Sequence, residues 1–112
     1  MITVRIHLTA RRGKQTELFQ AIGDLSRKIA RETGCISCQF YQNPENADEL
    51  VVIEEWKHET TARAHLESEN LALLVGASSV LTQKVSIVLG NDPSTRNLKQ
   101  SFEKRLVKLE TF

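Results

Sequence analysis

The chain has 112 residues, 40% of them apolar and 26% charged, and its 15 basic and 14 acidic side chains leave a net charge of +1. That length is one domain with a modest core. The even charge balance argues against the strongly basic face that nucleic-acid phosphates select, so no nucleic-acid partner is expected. No apolar run reaches the ~20 residues that span a bilayer, so no membrane partner is expected either. The opening residues 1–14 have no charged start followed by an apolar block, so a cytoplasmic protein without a secretory leader is the expectation.

Residues 2–9 alternate strictly. Ile2, Val4, Ile6 and Leu8 take one face, and Thr3, Arg5, His7 and Thr9 the other, which is the pattern of a half-buried strand. Arg11-Arg12-Gly13 makes a turn, and residues 14–32 switch to helical period. Leu18, Ile22, Leu25 and Ile29 form the stripe, with Phe19 and Ala21 beside it. Gly34 suits the position just past a helix C-terminus and is expected to stop this helix.

A second strand is expected over 35–42, with Ile36, Cys38 and Phe40 on one face and Ser37, Gln39 and Tyr41 on the other. The polar residues 43–48, with Pro44, make the connection. The third strand, about 49–57, places Leu50, Val52, Glu54 and Trp56 on one face and Val51, Ile53 and Glu55 on the other. Both faces carry apolar residues, so both are expected to be covered.

A short helix follows over 59–67 with Ala62, His65 and Leu66. Ser68 is a candidate N-cap for the next helix, whose stripe is Leu71, Leu74 and Val75, and Gly76 is expected to mark its end. Residues 80–89 read as a fourth strand, and Gly90-Asn91-Asp92-Pro93 as a break.

The order β-α-β-β-α-α-β is the ferredoxin-like α+β pattern: a four-stranded antiparallel sheet with helices on one face. Such a sheet leaves its other face bare, and pairing two sheets into a barrel covers it, so a homodimer is expected. Residues 1–91 form the expected core domain. Residues 92–112 form a C-terminal extension, in which Asp92 caps, Pro93 starts a helix, and Leu98, Phe102, Leu106 and Leu109 repeat at helical spacing. A lone helix with that stripe is marginal, so it is expected to pack on its own domain or on the partner subunit.

Cys35 and Cys38 form a C-x-x-C. A redox pair of this kind sits at a helix start, where the dipole lowers the thiol pKa; here the segment reads as extended. Residues three apart on a regular strand face opposite sides and lie roughly 10 Å apart, too far for a disulfide. No second C-x-x-C or H-x-x-x-H completes a zinc site, so structural thiols and no metal are expected. No G-x-G-x-x-G follows a strand, so a dinucleotide cofactor is unsupported.

Several of these features occur together in one known family. Gly34-Cys35, the Tyr41-Gln42-Asn43-Pro44-Glu45 turn, Glu54-Glu55-Trp56 and Ala64-His65-Leu66 followed by Ser68 resemble the antibiotic biosynthesis monooxygenase family over roughly residues 2–90. The resemblance implies a dimeric α+β barrel with a pocket between the sheet and the helices of each subunit. It fixes fold better than chemistry, because the family runs several reactions on one scaffold. The haem-degrading branch uses an asparagine, a tryptophan and a histidine; in their places this chain holds His7, His65 and Val75, so the iron ligand is missing. The anthrone-oxidising branch keeps a tryptophan that matches Trp56, but its asparagine, tyrosine and arginine have no match here. Relatives often carry Pro-His-Phe after the serine, where this chain has Glu69-Asn70-Leu71.

On this basis His65 and His7 are the candidate catalytic bases, since an imidazole can take a proton from a phenol or quinol near neutral pH. Trp56 is the candidate ring-stacking surface, and Tyr41, Glu54 and Arg5 the candidate binding and orienting groups. His58 reads as surface. Glu54 and Glu55 are adjacent on a strand and point to opposite faces, so they cannot share a proton. The leading expectation is a cofactor-independent monooxygenase that oxidises a small reduced aromatic (a quinol, hydroquinone or anthrone) with molecular oxygen. The alternatives are a non-redox isomerase of a small oxygenated metabolite, for which Arg5 or Arg63 would meet a phosphate, and a ligand-binding protein without turnover.

Overall fold

The computed structural model describes residues 1–90 and 96–106. Four strands and four helices follow in the order β1 (Ile2–Ala10), α1 (Gln15–Ile29), β2 (Cys35–Asn43), β3 (Asn46–Trp56), α2 (Glu59–Leu66), α3 (Glu69–Leu81), β4 (Thr82–Leu89) and α4 (Arg96–Leu106). The strands form one antiparallel sheet in the order β2-β3-β1-β4. This is the ferredoxin-like α+β fold expected from the order of elements.

Strict alternation in β1 and β3 sets the register, because a slip of one residue would turn every apolar side chain to the wrong face. The row Phe40, Val52, Ile6, Ile87 crosses all four strands on the helix-covered side. On the opposite side, the row Tyr41, Val51, His7, Ser86 crosses the same strands. Leu18, Ile22, Leu25 and Ile29 of α1 close over the first face, joined by Leu71 and Leu74 of α3.

Local details depart from the expectation, each for a physical reason. The β2–β3 turn is shorter than expected. Asn43 pairs with Asn46, leaving only Pro44 and Glu45 between the strands. The amide-rich residues, expected as loop, instead hold the hairpin tip: Asn43 Oδ1 accepts from Glu45 N–H, and Asn43 Nδ2 donates to Glu49. A bulge between Cys35 and Ser37 breaks the alternation of β2, so Ile36 is exposed instead of facing the core. The same bulge puts Cys35 opposite Trp56 and Cys38 opposite Glu54, so the two thiols share the core side that regular strand geometry would deny them. Both are free. Burial pushes the Cys35 thiol up to about 11 and the Cys38 thiol up to about 12, with the nearby carboxylate of Glu54 acting in the same direction.

Gly34 does not stop α1, which is already capped at Ala30. It serves a tighter purpose. Its φ is +82°, and a Cβ there would stand 2.3 Å from Thr61 Cγ2 on α2. Only glycine lets the chain turn this close beneath α2. Gly76 does not end α3 either. It is exposed in mid-helix, and the helix continues because Ser78 and Leu81 are buried beyond it. Ser68 caps that helix as expected, accepting from Leu71 N–H at 3.1 Å.

Leu98, Phe102 and Leu106 of α4 are fully buried, and α4 packs against β4, α2 and α3 of its own chain. Asp92, Pro93 and Leu109, singled out above, lie outside the described residues. No described helix is long and apolar enough to cross a membrane.

Candidate functional site

Trp56, Glu54 and His65 meet on the helix-covered side of the sheet. Alternation in β3 sends Glu54 and Trp56 inward, and α2 lowers His65 onto them. All three are buried, at 0%, 0% and 1% exposure. A carboxylate and an imidazole in an apolar core are costly unless they satisfy each other, and here they nearly do. The Trp56 indole N–H donates to Glu54 Oε1 at 2.9 Å. His65 Nε2 lies 3.3 Å from Glu54 Oε2, within ion-pair range. That contact misses hydrogen-bond geometry, and neither atom has another hydrogen-bond partner among the described residues. The imidazole also lies over the indole, with ring centres 4.7 Å apart and planes 31° from parallel.

The other imidazole nitrogen meets a group that the sequence reading passed over. His65 Nδ1 is 2.9 Å from both oxygens of Glu32, which sits in the turn between α1 and β2. Glu32 Oε2 also accepts from Asn70 Nδ2 at 3.0 Å. Ser68 Oγ lies 3.3 Å from Nδ1 and donates to the His65 carbonyl at 2.7 Å. Burial by itself lowers the His65 pKa; the carboxylates of Glu54 and Glu32 outweigh it and raise the pKa above the ordinary histidine value. With both acids ionised and the imidazole protonated, the cluster carries one net negative charge inside an apolar core.

The remaining sequence candidates lie elsewhere. His7 and Arg5 are exposed on the open face of the sheet. His7 lines a cavity of about 300 Å³ with Glu49, Lys84, Ser86 and Val88. Tyr41 is exposed on the same face, its hydroxyl donating to Gln39 at 2.9 Å. The sheet therefore separates Arg5, His7 and Tyr41 from Trp56, Glu54 and His65. Arg63 pairs with Glu59 along the outside of α2 at 3.6 Å. His58 is exposed at the start of α2, as expected.

The interior cluster is closed. Its lid is α4, whose Phe102 ring centre lies 6.2 Å from that of His65. Of the two carboxylates that face the imidazole among the described residues, Glu32 reaches toward solvent, with 17% of its side chain exposed, and Glu54 does not. Glu32 was missed because it lies 33 residues from its histidine in sequence, with no local spacing to mark it. The available signal was indirect: Gly34, two residues on, is the residue that lets this turn pass under α2. Among the described residues no group of three His, Cys, Asp or Glu side chains is arranged to hold a metal ion.

A conserved protein from Methanosarcina mazei superposes with a TM-score of 0.73 at 27% identity, over 80% of this chain and 89% of its own. A Pseudomonas aeruginosa protein gives 0.74 at 21% identity, over 80% and 90%. A candidate antibiotic biosynthesis monooxygenase from Deinococcus radiodurans gives 0.76 at 16% identity, over 82% and 92%. The latter two likenesses are of fold alone. No curated protein matches the chain. The sequence pattern of antibiotic biosynthesis monooxygenases matches residues 1–73, more than half the chain, and the protein belongs to that family.

Proposed function

We propose that the protein is a cofactor-independent monooxygenase that oxidises a small reduced aromatic, of the quinol, hydroquinone or anthrone type, with molecular oxygen. Family membership supports the monooxygenase class. The observation that carries the reading further is the pair of buried atoms, Glu54 Oε2 and His65 Nε2, that face each other without completing a hydrogen bond beside an indole. Buried polar atoms without a partner are rare, and a reacting proton is one reason to keep them.

In this mechanism the Glu54–His65 pair is the proton acceptor and titrates as a unit. With the imidazole already protonated, the Glu54 carboxylate takes up the proton, which brings the cluster from one net negative charge to neutrality, as a dry core favours. For an anthrone-like CH₂ flanked by rings, loss of one proton to the pair leaves a carbanion. The carbanion transfers one electron to O₂, and the radicals join as a C–O–O⁻ peroxide. The pair returns its proton to give the hydroperoxide, and loss of water leaves C=O. One O₂ is consumed and one oxygen atom enters the product, the other leaving as water. Trp56 supplies the flat surface for the substrate ring. Because Trp56 and His65 are covered, the substrate ring takes the place of Phe102 when α4 swings off α2. In this reading α4 is an addition to the core that closes the site.

The open face carries Val51, Ile53, Tyr41 and Val88, and a second copy of the chain covers it in a homodimeric barrel. Sedimentation of the purified protein tests that part: a dimer supports it, and a stable monomer at micromolar concentration counts against it. The chemistry is tested with ¹⁸O₂ and a panel of quinols and anthrones, autoxidation subtracted. One labelled oxygen per product supports a monooxygenase. Binding of the same compounds, followed by Trp56 fluorescence, without labelled product would favour the ligand-binding reading; the closed state of the site is the observation behind that alternative.

A further inference from the structure

Glu32 does more than tie a turn to a helix. Resting on the proposed role of the Glu54–His65 pair, we infer that Glu32 is a positioning residue that sets the protonation of His65 and with it the basicity of the pair. Three observations lead there. Both Glu32 oxygens lie 2.9 Å from Nδ1, so the proton on that nitrogen has an acceptor whichever way the carboxylate turns. Asn70 Nδ2, donating to Oε2 at 3.0 Å, fixes the carboxylate from the first turn of α3. Nδ1 is thereby assigned as a donor, which leaves Nε2 as the nitrogen that faces Glu54.

Around the imidazole stand Glu54 and Trp56 from β3, Glu32 from the turn after α1, Ser68 and Asn70 from the start of α3, and the Phe102 ring from α4. The Cys35 and Cys38 thiols of β2 lie within the field of both acids and are neutral thiols near pH 7. Among the described residues Glu32 and Glu54 are thus the two carboxylates that face His65. With both present, a substrate proton neutralises the cluster. Without Glu32, the same proton would create a net positive charge in an apolar core, which is unfavourable. Glu32 touches neither substrate nor reacting atom; it acts through the ring it holds.

The test uses the full chain with Glu32→Gln and Glu32→Asp. The first readout is the ¹⁵N spectrum of the His65 imidazole against pH, which needs no turnover. In Glu32→Gln the ring titrates at lower pH than in the wild type, while Glu32→Asp, which keeps the charge, stays close to it. The second readout is the pH profile of oxygen uptake. Glu32→Gln moves the acid limb of kcat/KM to lower pH and lowers the plateau by roughly tenfold, less than the 10²–10⁴-fold typical of losing an acid–base group outright. An unchanged His65 titration in Glu32→Gln overturns the inference, as does Glu32→Asp behaving like Glu32→Gln. A wild-type protein with no oxygen uptake overturns the monooxygenase reading instead, and the imidazole spectrum then still decides the role of Glu32.

Discussion

The two faces of the sheet carry similar kinds of residue and treat them in opposite ways. Each has a histidine and a glutamate on neighbouring strands or helices: His65 and Glu54 inside, His7 and Glu49 outside. Inside, the histidine is stripped of water, stacked on an indole and held between two acids. Outside, His7 is exposed beside Lys84 and Ser86 in an open cavity. The difference teaches that the residue type alone says little about chemistry. Burial gives an interaction its magnitude, because the same pair is screened in water and strong in a core.

That contrast can be broken by removing partners on one face at a time. Glu54→Ala leaves the imidazolium with Glu32 alone in a dry site and is expected to cost about 3–5 kcal/mol, the range for breaking a buried ion pair from one side. Urea unfolding measures it, and a cost below about 1 kcal/mol, the scale of an exposed pair, would place the Glu54–His65 contact in that weak class. Trp56→Phe keeps an aromatic ring, though a smaller one, and removes the indole N–H that donates to Glu54 Oε1. It is expected to cost about 1–3 kcal/mol, the range for a buried acceptor left short of a donor.

A pH series sharpens the same point without mutation. The His65 pKa is raised in the folded protein, so its contribution to stability is complete below the unfolded value of about 6.5 and is lost as pH rises through the folded value. The wild type should therefore lose stability as pH rises above about 6.5, and His65→Gln should flatten that slope. The raised Cys35 and Cys38 thiols act in the same direction, but their contribution begins to fall only near pH 9, so the two windows separate. Differential scanning calorimetry across the series reads this out; an equal slope in the variant would remove His65 as its source. The smallest effect is expected on the open face. His7→Ala removes no hydrogen bond or ion pair among the described residues and should change the stability of the unassembled chain by no more than about 0.5 kcal/mol.

How much of this was legible in the chain depends on whether the cause was local. Alternation in residues 2–9 and 49–57 sufficed to turn Glu54 and Trp56 inward, because a period of two is a property of the backbone. The stripe of α1 was legible for the same reason. The bulge at Ile36 was not, since nothing in Cys-Ile-Ser-Cys marks where the ladder slips. Gly76 was misread because propensity is a weak prior, and burial of Leu74, Ser78 and Leu81 overrides it. Gly34 was read as a helix stop when its true constraint is the approach of Thr61 from another helix. Placing His7 and His65 in one candidate set follows from chemistry without geometry; the sheet lies between them. Glu32 entered only through tertiary structure.

The most direct test of the account is oxygen uptake by the purified protein on a saturating quinol or anthrone, comparing wild type with His65→Gln and His7→Ala. Saturable uptake is expected in the wild type, near-equal uptake in His7→Ala, and a fall of about 10²-fold or more in His65→Gln. Uptake that survives His65→Gln, or falls instead with His7→Ala, would contradict the assignment of the chemistry to the covered face of the sheet.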